Sequence, residues 1–175
     1  MDNLDLPAIL GIHASSVFND DGALIFLGPS GTGKTTMCGL LEHRMDVLTK
    51  DAIYLVSLFG SWQVVYGDAN VQRGTKPVSI EEIMALPHAP LRAIFRLYQS
   101  WEPSIERLEI LETSRYLVDA FFEIIWQRDE PFSVKAHAFA NLAQVARSIP
   151  GYTFHFALST YTLNALNREM KLWEL

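Results

Sequence analysis

A single cysteine, Cys38, leaves this chain without an internal disulfide and without a cysteine-built zinc site. Basic residues are also scarce. Lys and Arg total 14 against 20 Asp and Glu, a net charge of −6. The arginines are scattered and form no basic stripe, so a nucleic-acid surface is not expected. No apolar run approaches the ~20 residues of a membrane-spanning helix. The patch from Phe121 to Trp126 is too short, so no membrane partner is expected. The first residues, Met1-Asp2-Asn3-Leu4-Asp5, are acidic and lack the basic segment and apolar core of a secretory signal. Repeats, low-complexity tracts and long linkers are missing too. A cytoplasmic protein is the simplest account. Cys38 follows Met37, and the usual burial of free cysteine favours a small core residue over a nucleophile.

What is present is a chain of 175 residues, 49% apolar, long enough to bury a core as one nucleotide-binding domain spanning 1–175. Its most informative segment is Gly28-Pro29-Ser30-Gly31-Thr32-Gly33-Lys34-Thr35, which spells G-x-x-x-x-G-K-[ST], the phosphate-binding P-loop. An apolar run, Ala23 to Leu27, leads in, and a helix-competent stretch from Thr36 leads out. Strand, Gly-rich turn and helix form the context that supports such a match. The glycines let backbone N–H groups turn inward, and the helix N-terminus adds partial positive charge. Lys34 can reach the outer phosphates, and the Thr35 hydroxyl can ligate Mg²⁺. The expected ligand is ATP or ADP, held by Gly28 to Thr36.

The patterning predicts an α/β fold, a mixed twisted sheet with flanking helices. Ile9 to Phe18 reads as a strand, Asn19-Asp20-Asp21-Gly22 as a turn, and Ala23 to Leu27 as the returning strand of a hairpin. Asp46 to Thr49, Ala52 to Phe59 and Trp62 to Tyr66 continue as strands of a meander. Gly67 to Pro90 is irregular, with a short helix starting near Ser79. Leu91 to Leu97 and Ile105 to Ile110 read as strands. Thr113 to Gln127 and Lys135 to Ser148 carry apolar residues at helical spacing. Tyr152, Phe154, Phe156 and Leu158 alternate as in a strand, and Thr162 to Trp173 closes with a helix. The four tryptophans, Trp62, Trp101, Trp126 and Trp173, read as core or interface residues. His43, His88, His137 and His155 show no metal-ligand spacing and read as structural or surface residues.

Motifs of other P-loop classes are missing. There is no Asp-x-x-Gly, no Asn-Lys-x-Asp and no Arg-rich lid. The ordered set His13-Ala14-Ser15-Ser16, Gly28 to Thr36, Leu48-Thr49-Lys50-Asp51-Ala52-Ile53, Trp62 to Gly67 and Ala89 to Phe95 instead resembles the catalytic core of HPr kinase/phosphorylase and its serine-kinase-like relatives. That group shares its P-loop fold with phosphoenolpyruvate carboxykinase. The resemblance covers roughly residues 9 to 160. It implies an ATP- and Mg²⁺-dependent phosphotransferase acting on a hydroxyl, commonly a protein serine. Gly28 to Thr36 would hold the phosphates, and Lys34 would act on the transferring group. Thr35 and Asp51 would serve the metal. Asp51 would also take the hydroxyl proton, and His13 would lie near the active site. The acceptor, protein or small molecule, stays open. Related kinases assemble as oligomers, so a homo-oligomer is an open expectation. Arg73 could steady phosphate, or be a solvated loop arginine; Asp68 is a weaker candidate.

The chain departs from the family's pattern where two acidic residues follow the third strand, because Lys50 stands first. A lysine ammonium cannot ligate Mg²⁺ or accept a proton while charged, and it draws a neighbouring carboxylate towards a low pKa. Two further readings follow, a nucleotide-binding regulatory protein without phosphotransfer and a small-metabolite kinase acting on a free-serine-like acceptor. The substitution Lys50→Asp separates a weakened kinase from a lysine-dependent one. Phosphotransfer or ATP turnover rising well above wild type is the expected outcome. Brisk wild-type transfer abolished by Lys50→Asp would make Lys50 part of the mechanism instead.

Overall fold

In the computed structural model the described residues are 8–49, 52–58, 60–65, 81–82, 85–125 and 132–171. The chain runs β1 (Ile9–Ile12), β2 (Ser15–Asn19), β3 (Gly22–Leu27), α1 (Lys34–Leu41), β4 (Asp46–Thr49), β5 (Ile53–Leu58) and β6 (Ser61–Val65). It continues with β7 (His88–Gln99), β8 (Ser104–Arg107), α2 (Ile110–Ile125), α3 (Phe132–Ser148), β9 (Gly151–Phe156) and α4 (Thr160–Met170). The mixed α/β class and the β2–β3 hairpin agree with the patterning. Asn19 shapes the hairpin turn, its Oδ1 accepting from the Asp21 amide at 3.1 Å.

The strands divide into two groups joined by β7. One group is β1-β5-β6, all antiparallel, and β6 pairs with the first residues of β7, Val65 opposite His88 and Gln63 opposite Pro90. The other is β4-β2-β3, with β3 parallel to the rest of β7, which in turn runs parallel to β9; β8 closes the edge antiparallel to β9. The switch falls near Pro90, which has no N–H to donate to a ladder. A bulge follows directly. Ala23 pairs with Leu91 but Leu24 pairs with Ala93, so Arg92 is an extra residue on β7.

The expected single strand from Ile9 to Phe18 is corrected to two. It breaks at His13-Ala14, so that β1 joins the first group and β2 the second. The His13 amide donates to the Ala120 carbonyl of α2 at 2.9 Å, replacing a ladder bond. Other boundaries shift. β7 starts at His88 rather than Leu91, Ile110 begins α2 rather than ending a strand, and Leu158 lies beyond β9 and is exposed. Most of the irregular segment, 66–80, lies outside the described residues.

Strand β3 explains the layering. All six residues of Gly-Ala-Leu-Ile-Phe-Leu are buried. Ala23, Ile25 and Leu27 enter a core with β1, β5, β6, α2 and α3, and Leu24 and Phe26 enter a second core with α1, β9 and α4. A continuous apolar run is what a strand covered on both faces requires. Cys38 is fully buried in the second core, as expected of a small core residue.

Phe95 sits at the middle of that second core, fully buried. Its ring lies 5.3 Å from Tyr152 in a stacked arrangement and 5.8 Å from both Phe26 and Phe154. Phe95→Ala is expected to cost about 3–5 kcal/mol, the usual loss for emptying a buried aromatic site. Urea unfolding measures it. A loss below about 1 kcal/mol, the level of a typical substitution, would mean that this cluster is not the packed centre of the core.

Candidate functional site

Strands β3, β7 and β9 run parallel, so their carboxyl ends lie together. In open α/β sheets ligands bind at this end, where loops leave the strands. Here β3 ends at Leu27, passes through 28–33 and enters α1 at Lys34. The expected strand, Gly-rich turn and helix thus stand in order.

The loop is tight because its residues bond to one another. The Thr32 amide donates to the Pro29 carbonyl at 3.2 Å, and its hydroxyl donates to the same oxygen at 2.8 Å. Lys34 is 6% exposed. Its Nζ donates to the Gly28 carbonyl at 2.5 Å and to Pro29 O at 3.2 Å. A buried ammonium must be offset by such acceptors. The Gln99 amide at the end of β7 donates from Nε2 to Gly31 O at 3.2 Å. The loop is therefore held from within by Lys34 and from β7 by Gln99.

Gly33 caps the helix with φ 97°, in the left-handed region. A Cβ there would land on the Phe156 ring of β9. Gly31 also has positive φ, 82°, but a Cβ there would meet open space. Past Gly33 the helix begins, with Met37 N donating to Gly33 O at 2.8 Å. The first amides of any helix have no acceptor inside it and face outward from the N-terminus. Thr35 and Thr36 are exposed there, as are Pro29, Ser30 and Gly31. Polyphosphate fits this arrangement in kind, through outward amides, accessible hydroxyls and an ammonium inside the loop.

A cavity of about 520 Å³ adjoins the helix side of the loop, with Gly33 and Thr36 on one wall and Trp101, Phe156 and Leu158 on others. Trp62 is buried in the core, one of the two places expected for the tryptophans, whereas Trp101 is 98% exposed on the β7–β8 connection and is therefore not a core residue. Trp126 and Trp173 lie outside the described residues. The connection is pinned where it begins, Ser100 N donating to Phe156 O at 2.9 Å.

The other sequence-derived candidates are distributed unevenly. His13 lies two residues before the Ser15–Phe26 pair, at the sheet end where β3 runs into the loop. Its Nε2 is 3.5 Å from Glu123 Oε2 on α2. Lys50, Asp51, Asp68 and Arg73 lie outside the described residues. Among the described residues, no group of three or more His, Cys, Asp or Glu comes together to hold a metal ion. His88 is exposed, and His155 stacks on Tyr98 with ring centroids 5.3 Å apart.

Sequence reasoning missed a cluster on the opposite face of β7. Arg96 is the register partner of Leu27. Its guanidinium lies 4.9 Å from the Tyr116 ring centroid and 5.4 Å from that of Tyr98. The two phenol oxygens are 3.3 Å apart. The hydrogen bond from Tyr116, and then that from Arg96, holds the Tyr98 phenol below its ordinary range, while the bond to Tyr98 raises Tyr116. Gln99 was missed as well. Neither contact leaves a local motif, since both depend on which strands lie side by side.

Comparison with known proteins gives the family. Residues 3–170 match the family described as SynChlorMet cassette protein ScmC, and the chain belongs to that family. No curated protein matches it. Among solved structures, the chain is similar to the HPr(Ser) kinase/phosphatase from Coxiella burnetii, at 10% identity and a TM-score of 0.47, covering 93% of this chain and 92% of that one.

The contrast between the two glycines is testable. Gly31→Ala carries only the backbone cost of a left-handed residue, on the order of 1–3 kcal/mol. Gly33→Ala adds overlap with the Phe156 ring and is expected to lose more stability. Chemical denaturation of both variants checks this, and equal losses would show that the Gly33–Phe156 approach does not constrain the loop.

Proposed function

We propose that this protein binds a nucleoside triphosphate, ATP by preference, through Gly28 to Thr36 and transfers its outer phosphoryl group to a serine-type hydroxyl. One observation carries the reading. The G-x-x-x-x-G-K-[ST] segment lies at the carboxyl ends of parallel strands, opens a helix, and keeps its lysine inside the loop. Chance glycine-rich turns have no reason to bury an ammonium against their own carbonyls. The fold reading that goes with it is the HPr kinase and phosphoenolpyruvate carboxykinase type, on the segments quoted above.

In this reading the α1 amides cradle phosphate oxygens, and Lys34 exchanges a carbonyl for the outer phosphates. The Thr35 hydroxyl would supply one Mg²⁺ ligand and Asp51 another. The metal would neutralise charge on the transferring group. Asp51 also receives the acceptor's proton, and His13 stands by at the sheet end where β3 runs into the loop. The acceptor is a protein or small-molecule hydroxyl. The protein works in the cytoplasm, in keeping with the absence, among the described residues, of any helix long and apolar enough to cross a membrane.

A second reading is favoured by one residue. Lys50 stands where related kinases carry a carboxylate, and this suits a regulatory protein that binds nucleotide without transferring phosphate.

Calorimetry with Mg²⁺ and ATP tests the shared part. Lys34→Ala is expected to weaken binding by roughly 1.5–3 kcal/mol, the worth of a charge-assisted hydrogen bond. Equal affinity in wild type and variant would remove the reading. Incubation with labelled ATP and candidate hydroxyl acceptors, followed by mass spectrometry, then separates the two. Label on an acceptor supports the transferase, and tight binding without label supports the regulator.

A further inference from the structure

We propose that Trp101 and the cavity beside it form the seat for the nucleobase, with the base stacked on the indole. This rests on the reading that 28–36 holds a nucleotide's phosphates. The cavity, about 520 Å³, falls within the range of small-molecule sites. Its apolar walls come from Trp101, Phe156 and Leu158, and Gln99 and Ser100 contribute polar groups. A base has two apolar faces and a polar edge, which is the chemistry these walls match.

Position decides between occupants. The cavity meets the loop at Gly33 and Thr36, on the helix side. The Lys34 ammonium sits elsewhere, against the Gly28 and Pro29 carbonyls. In a P-loop the lysine marks the outer phosphates, and the backbone amides hold the inner ones. The outer phosphoryl is the one transferred, so an acceptor must approach on the Lys34 side. What extends from the inner phosphates is the nucleoside, and the Gly33–Thr36 side is where it leaves.

Exposure supports a ligand role. Trp101 is 98% exposed and Leu158 is 75% exposed, and both line this one cavity. Single exposed apolar residues are ordinary, but two that converge on a concave site beside a candidate phosphate loop present a surface for burial. Two hydrogen bonds, one from backbone and one from a side chain, hold the wall in place. Ser100 N bonds to Phe156 O, and Gln99 Nε2 bonds to Gly31 O, so the base wall and the phosphate loop are tied to the same strand end.

The test compares ATP with inorganic tripolyphosphate, each with Mg²⁺, by calorimetry on wild type, Trp101→Ala and Trp101→Tyr. Base stacking on an aromatic side chain predicts that Trp101→Ala weakens ATP roughly 5- to 100-fold. Tripolyphosphate affinity is expected to stay unchanged, and Trp101→Tyr to recover most of the ATP affinity. Unchanged ATP affinity in Trp101→Ala overturns the proposal, leaves nucleotide binding intact and points to the acceptor as occupant. Equal weakening of both ligands overturns it too, because Trp101 would then act on the loop rather than on a base. A wild type that binds neither ligand overturns both this proposal and the nucleotide reading. Because the indole is almost wholly in solvent, neither substitution disturbs the core.

Discussion

Strand β3 meets water on neither face, and that constraint organises everything around it. A strand buried on both sides must have a packed layer on each, and its six residues supply two apolar faces at once. One face draws in α2, α3 and the β1-β5-β6 strands. The other draws in α1, α4 and the aromatic side of β9. The loop that leaves β3 is thereby launched from a position that cannot move without disturbing both cores. The phosphate site proposed for this loop would benefit from this fixity, because preorganised dipoles need no reorganisation when the ligand arrives.

The loop carries the cost of its chemistry in the same place. Lys34 is charged and nearly buried, and Gly28 O and Pro29 O meet its ammonium. Without them the desolvation cost would be several kcal/mol. An entering anion would offer a stronger acceptor than a carbonyl, because it brings a full opposite charge to a donor that is already ionised. The internal contacts therefore hold the loop in shape, and in the proposed reading a phosphate would replace a carbonyl as the partner of the ammonium. Gln99 fixes Gly31 from outside, so the exchange need not loosen the whole loop.

Much of this was legible in the residues. The β3 run, the glycine motif, the hairpin turn at Asn19 and the apolar stripes of α2 and α3 are local patterns with local causes. What was not legible is contact-borne. The break at His13-Ala14 has no Gly or Pro to announce it; it exists because β1 and β2 pair with different partners and α2 takes the His13 amide. For Trp101 the residue type left core and interface both open, and only the fold puts it outside the core, on a short connection beyond the end of β7. Gln99, Arg96 and their partners are joined by parallel register between segments distant in the chain, which periodicity cannot see.

That register gives β7 a double role. Along its last residues, Phe95 and Leu97 enter the core beneath α1, while Arg96 and Tyr98 face α2. Gln99 returns to the loop side and reaches Gly31. The bulge at Arg92 sets this alternation, since one extra residue exchanges the faces of everything after it. Without the bulge, Gln99 would sit on the α2 side and Tyr98 on the side of the loop. A one-residue irregularity near the start of β7 thus decides which side chains greet the loop at its far end. The glycine motif declares the loop by itself, but the side chain that meets it from β7 is placed by a register set several residues earlier.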